Sequence, residues 1–338
     1  MSSRQLPQRL ENLINAIKQE DRITPSTAKR LLENANIQPE DLQAWADFGH
    51  PKADSYGRKL VYDGGYFELM VMSWVDGDMS TIHDHGYTQW GAVEVFGPAE
   101  HAMFKFDNGK LITQCRDICE EGEVLVVGHD LIHQMGNMGN APYLTLHLYG
   151  AYEHEGGVTA DARLYNLDQG KTEFTSGGVF FDLPEELINK EKDGPVGDFP
   201  TTLRCKIEYL KRLLRKNDSL AKGEFSTSEE QRVANELFDE ATWKTLYSEL
   251  KELRDCSSGF IARYQGILDQ ELFAAAKLQL TLIESNIMST VPEAYCQHLP
   301  ELLRNSNSAD FSAVYCDFLD TLLGEIETFS SVFAVETV

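Results

Sequence analysis

Between Tyr56 and Gly150 the chain is a succession of short β-rich runs, each closed by turn residues. "RKLVYDGGYFELMVMSWVDG" is two such runs broken at Asp63-Gly64-Gly65, a hairpin signal. "WGAVEVFG", "HAMFKFDNGKLITQC", "GEVLVVG" and "PYLTLHLYG" follow, with Asp107-Asn108-Gly109 and Gly136-Asn137 marking turns. Many short strands with regular turns predict a sandwich or a barrel.

The flanks have a different period. Residues 1 to about 48 read as helical: "LENLINAIKQ" has apolar residues at helical spacing. "TPSTAKRLLENA" offers Thr24 as cap with Pro25 at the first helical position, and "QPEDLQAWADF" repeats the pattern with Pro39. Beyond Gly194-Pro195, "TTLRCKIEYLKRLLRKN" is amphipathic, and Ser226 with Glu229 forms a capping box before further helical runs. Leu268, Leu272, Ala275 and Leu282 fall at the spacing of a helix-bundle core. Two domains are expected, residues 1–196 and an all-helical 197–338. A dimer surface, a partner-docking site and a lid are all open roles for the second.

With 338 residues the chain can bury one large core or two ordinary ones. No run of eighteen apolar residues occurs, so no membrane partner is expected, and the opening residues lack the apolar segment of a secretory signal. A cytoplasmic protein is the expectation. The net charge of -24 argues against nucleic acid, whose phosphates call for clustered Lys and Arg. Six scattered cysteines, Cys115, Cys119, Cys205, Cys256, Cys296 and Cys316, suit reduced thiols better than a disulfide framework.

Chemistry concentrates in "GDMSTIHDHGYTQWGAVEVFG", residues 77–97. Strand side chains alternate faces, so His83 and His85 point the same way and can grip one ion. This stretch resembles the first half of the cupin signature: Gly77, five residues, His83-x-His85, then Gly97. "GEVLVVGHDLIHQMGN" resembles the second half, ending on His133 and, four positions on, Asn137. The cupin pattern places a metal-binding glutamate where Trp90 stands. Three neutral histidines would leave a divalent ion its full charge and open positions, which suits non-heme Fe(II). Zinc accepts imidazoles as well but performs no redox chemistry.

Four segments, "YGRKLV", "SWVDGDMSTIHDH", "HQMGN" and "TLHLY", together resemble the cysteine dioxygenase family of thiol dioxygenases over about residues 50–155. The resemblance implies an all-β cupin, a double-stranded β-helix or jelly-roll barrel, with N-terminal helices, followed by the separate all-α domain. It further implies an oxidoreductase with a mononuclear Fe(II) held by His83, His85 and His133, adding both atoms of O2 to a small thiol. Thr145, His147 and Tyr149 match the family's hydroxyl–histidine–tyrosine triad, and period-two spacing puts all three on one face. Arg58 matches the residue that holds the substrate carboxylate, with Tyr56 as a helping hydroxyl. An arginine at this place favours L-cysteine over 3-mercaptopropionate. Cysteamine and a biosynthetic thiol stay open as substrates, as does a metal-binding cupin module without turnover.

Animal members carry at the position of Trp90 a cysteine that crosslinks to the tyrosine matching Tyr149. Neither Trp90 nor Gly91 can form that bond, so an uncrosslinked Tyr149 is expected, with either residue as its neighbour. Trp74 reads as core. His129 reads as no ligand of the metal, and His50, His101, His154 and His298 read as uninvolved, with no convincing partners.

Overall fold

A computed structural model describes residues 6–51, 54–137, 139, 141–152, 156–167, 169–181, 183–216, 259–284, 293–307 and 309–321. The Ser226–Glu229 capping box, Cys256 and His154 lie outside these. Two compact units divide the chain, Met1–Val196 and Gly197–Val338.

The first unit opens with three helices. α1 (Gln8–Gln19) buries Leu10, Leu13, Ile14 and Ile17, one stripe at helical spacing. α2 (Pro25–Ala35) starts where the Thr24 hydroxyl accepts the Thr27 backbone N–H, and it ends at Asn36 in the left-handed region. α3 (Pro39–Leu42) is a single turn closed by a capping box between Gln38 and Asp41. A 3-10 turn, Gln43–Trp45, follows it.

Eight strands then form two antiparallel sheets: β1 (Gly57–Asp63), β2 (Phe67–Trp74), β3 (Trp90–Val95), β4 (Ala99–Asp107), β5 (Lys110–Cys119), β6 (Val124–Gly128), β7 (Ile132–Gly136) and β8 (Tyr143–Gly150). The first sheet runs β1-β2-β8-β3-β6. The second runs β5-β4-β7, with a two-residue strand at Val196–Gly197 beyond β5. Asp63-Gly64-Gly65 closes the β1–β2 hairpin, with Gly65 at φ +83° and its N–H on the Asp63 carboxylate. Asn108 and Gly109, both at positive φ, close the β4–β5 hairpin.

The centre of the first sheet, β2, β8 and β3, is buried on both faces, and β8 explains how. Leu144, Leu146 and Leu148 join Phe67, Leu69, Val71 and Trp90 in a core under the helices. The alternating residues Thr145, His147 and Tyr149 take the opposite, inner face, where Tyr149 packs with Met70, Met72, Trp74, Val93 and Met135. Period-two alternation thus splits one strand between a helix-covered outside and a functional inside.

Beyond residue 150, past the strand-like runs named above, a further antiparallel sheet forms. It runs β11-β10-β9 from β9 (Ala162–Asn166), β10 (Lys171–Thr175) and β11 (Ile188–Asp193). β9 carries Leu164, which bridges to His83. "ARLYN" and "KTEFT" have the β-rich composition that announces such strands, with a Gly170 turn at φ +63° between them.

The second unit contains α4 (Phe199–Lys216), α5 (Gly259–Glu284) and α6 (Glu293–Asn305), with residues 311–321 also helical. Leu272 and Ala275 are buried on α5. Among the described residues no helix is long and apolar enough to cross a membrane.

Candidate metal centre

His83, His85 and His133 converge. Their ligand atoms all lie within 4.8 Å of one another, and they form the only such group of three among the described residues. His83 and His85 leave the same segment on one side. β7 delivers His133, and the two chains are tied by reciprocal backbone bonds between residues 83 and 133 at 3.0 and 2.9 Å. Asp84, the intervening residue, faces away and is fixed there. Its buried carboxylate accepts the Gly86 and Arg163 backbone N–H groups, the Arg163 guanidinium and the Tyr165 hydroxyl.

The ring nitrogens meet the requirements of a cation. His83 Nδ1 lies 2.9 Å from the Thr81 carbonyl, which can only accept, so the hydrogen sits on Nδ1 and Nε2 is a bare lone pair. That lone pair faces His133 Nε2 at 3.2 Å. Two imidazoles on one ion, each at about 2.0–2.1 Å and nearly at right angles, bring their nitrogens to about 3 Å. Both nitrogens of His85 are buried and, among the described residues, neither makes a hydrogen bond of good geometry, the Leu131 backbone being the polar group beside the ring. A buried polar group left so costs about 1–3 kcal/mol, which a divalent ion would offset. Burial holds all three rings neutral: it lowers His83 to about 4, and the neighbouring histidine charges add to burial in pushing His85 and His133 well below the usual range. The donor set fits a metal ion.

A directed hydrogen-bond chain stands beside it. The Trp74 indole N–H donates to Thr145 Oγ1 at 2.9 Å. The Thr145 hydroxyl then donates to His147 Nε2 at 2.7 Å, its only other described contact. His147 Nδ1 therefore carries the hydrogen and donates to the Tyr149 hydroxyl, also at 2.7 Å. The phenol hydrogen is left to point elsewhere. Burial lowers His147 to about 3 and raises Tyr149, so both groups stay neutral and the direction of the chain is kept.

Gly91 is the residue opposite Tyr149 on β3, while Trp90 is opposite Gly150 and packs under the helices. A Cβ on Gly91 would come within 2.5 Å of the Leu148 carbonyl and 3.1 Å of the Tyr149 ring. The neighbour of Tyr149 thus has no sulfur, and the bare backbone leaves the phenol its space. Trp90 does not crowd the cavity.

A cavity of about 40 Å³ is lined by Tyr56, Arg58, Met70, His83, His85 and Tyr149, among others. It adjoins one of about 380 Å³ through the shared residues Arg58, Met70 and Thr159. A larger space of about 610 Å³ lies among residues 298–321, and among the described residues the one group of potential metal ligands lines the smaller cavity instead. Tyr56 stacks on Trp74 and its hydroxyl accepts the Val179 N–H at 3.0 Å, leaving its hydrogen available. Arg58, half-buried, reaches the Thr159 hydroxyl at 3.3 Å and has no carboxylate partner among the described residues.

Every predicted site residue therefore lies in or beside this one cavity. Two corrections concern histidines read as uninvolved. His101 Nε2 is 2.9 Å from His133 Nδ1, and His50 pairs with the buried Asp78. His129 instead meets the Thr88 carbonyl and is no ligand. Trp74 is core, as read, but it also starts the hydrogen-bond chain.

Comparison with known proteins shows what the first 150 residues are similar to. Residues 2–150 match the family model of cysteine dioxygenase type I. Relatives include cysteine dioxygenase type 1 of Danio rerio, 28% identical over 153 residues, covering 42% of this chain and 75% of the relative. The Homo sapiens cysteine dioxygenase type 1 is 24% identical over 152 residues, covering 42% and 74%. Among solved structures, the cupin domain of Schizosaccharomyces pombe Cnp3 is 9% identical with a TM-score of 0.24, covering 29% of this chain and 65% of that one. The cysteine dioxygenase match supports a thiol dioxygenase acting on a small-molecule thiol and O2. Residues beyond the match, including the helical unit, have no counterpart in it.

Proposed function

We propose that residues 1–196 form an Fe(II)-dependent cysteine dioxygenase, converting L-cysteine to cysteine sulfinic acid, with 197–338 as a separate helical domain. The observation that carries this reading is the pairing of two features in one cavity: three neutral histidines without a carboxylate, and a directed chain ending on the Tyr149 hydroxyl. A ferrous ion on His83, His85 and His133 would supply open positions where thiolate and O2 can meet.

The protein's own groups do the rest. Arg58, whose guanidinium makes no ion pair among the described residues and meets the Glu68 carboxylate only through Thr159, binds the substrate carboxylate at the neck between the two cavities. Tyr56 gives that carboxylate a second donor, since its oxygen already accepts from Val179. Holding the carboxylate fixes the thiol end among the histidines and turns an encounter into a nearly unimolecular step. Tyr149 aims its hydrogen at the reacting sulfur and oxygen, held in that direction by His147 and Thr145. Met70 and Met72 line the cavity and limit water. The inner space suits a compact thiol head and leaves no room for a bulky one. A reduced thiol substrate and cysteines scattered along the chain fit a cytoplasmic setting.

The test is oxygen uptake with mass analysis of the product, using protein loaded with iron under argon. L-cysteine is expected to gain two oxygen atoms and to outrun 3-mercaptopropionate and cysteamine. Faster turnover of either rival would refute the substrate assignment.

A further inference from the structure

We propose that His101 is a positioning residue for His133, orienting the third ring of the metal centre through a ring-to-ring hydrogen bond. The proposal rests on the three-histidine reading above. β4 lies between β5 and β7, and its register sets Met103 opposite His133 and His101 opposite Met135. Residues two apart on a strand share a face, so His101 stands on the same side of the sheet as His133. The rings are near perpendicular, with centroids 5.1 Å apart at 71° and Nε2 of His101 2.9 Å from Nδ1 of His133. His101 is buried, only 8% exposed, so water does not compete for the contact.

The direction of the bond follows from ligation. With an ion on Nε2 of His133, the hydrogen of that neutral ring must sit on Nδ1, and His101 Nε2 must accept it. The surroundings of the three ligands differ: His83 has the Thr81 carbonyl, His133 has an imidazole, and His85 has only the Leu131 backbone nearby. Outer partners fix the tautomer and the plane of a ligating ring, and their loss typically costs about 10–100-fold in metal affinity. Thr81 acts through its backbone and survives mutation; His101 acts through its side chain and does not. His133 also sits on a different strand from the other two ligands, so its ring plane cannot be set by their shared segment.

The test uses the full chain, stripped of metal and titrated with Co(II) against a chelator, while its visible absorption bands are recorded. His101→Phe keeps a planar ring without an acceptor, and His101→Gln restores an acceptor. The Phe variant is expected to bind Co(II) about 10–100-fold more weakly with shifted bands, and the Gln variant to recover most of both. His101→Leu gives the same comparison if the Phe variant does not melt cooperatively. Affinity within about threefold of wild type and an unchanged spectrum in the acceptor-free variant would overturn the proposal, as would a Gln variant no better than Phe. Wild-type protein that binds no Co(II), or a His83→Ala variant that binds it as well, would instead overturn the metal-centre reading on which the proposal stands.

Discussion

Glu94→Gln should stabilise this protein strongly at alkaline pH and only about a quarter as much at pH 5. Glu94 lies on β3 with its side chain on the helix-covered face, alternating with Gly91, Val93 and Val95 on the inner one. It is 7% exposed and its Oε2 has no partner. Of the two cations on α2, Lys29 spends its ammonium on the Val124 carbonyl and Glu33, and Arg30 pairs with Glu20. Burial first, and the Glu33 carboxylate second, raise Glu94 from 4.5 to about 7.

The sign follows directly. The folded chain holds this proton more tightly than the unfolded chain, so stability falls as pH climbs from 4.5 to 7, and above 7 the whole penalty remains. At about 1.36 kcal/mol per tenfold change in proton affinity the ceiling is about 3.4 kcal/mol, and local relaxation brings a realistic figure to about 1–3 kcal/mol. Glutamine keeps the shape and removes the charge. For a unit of this size, Glu94→Gln should raise the melting temperature at pH 8 by about 3–8 °C. Calorimetry of both proteins at pH 5 and pH 8, following the transition of the first unit, measures it. An equal shift at both pH values, or none at pH 8, would refute the reasoning that a charge is buried there.

Three further outcomes follow from the site. Trp74→Phe removes the donor to Thr145, frees that hydroxyl to turn, and should lower kcat about 5–50-fold with little change in KM; the kcat-to-KM split in steady-state oxygen uptake reads it. Gly91→Ala forces a Cβ against the Leu148 carbonyl and should destabilise the first unit by about 1–3 kcal/mol, seen as a lower urea midpoint, whereas Gly65→Ala meets no atom but a positive φ and should cost less. Arg58→Gln should raise KM for L-cysteine about 10–100-fold while barely affecting cysteamine, which has no carboxylate; equal losses for both thiols would remove Arg58 from substrate binding.

Much of this was legible in the sequence, for a physical reason. "LTLHLY" alternates strictly, and a strand with one face under helices and one facing a cavity has to sort leucines from Thr145, His147 and Tyr149 in that way. Thr24 and Pro25 marked the start of α2 because cap chemistry is local. What escaped depends on which strands become neighbours. His101 gains its meaning only when β4 pairs with β7, and nothing within "AEHAMFKF" announces that register. Trp90 and Gly91 were interchangeable until the β3–β8 register set Gly91 opposite Tyr149. β9 to β11 lie past the motifs that carry the site, and β9 matters because it holds Asp84 through Arg163 and Tyr165.

The central claim is that His83, His85 and His133 hold one ferrous ion that leaves room for a thiolate and O2 together. Its most direct test is the electron paramagnetic resonance spectrum of anaerobic iron-loaded protein treated with nitric oxide as a stand-in for O2, before and after L-cysteine. One iron per chain, a nitrosyl signal that L-cysteine reshapes, and loss of that signal in His133→Ala are the predicted results. Iron retained in all three single histidine-to-alanine variants, or a nitrosyl signal indifferent to L-cysteine, would contradict the account.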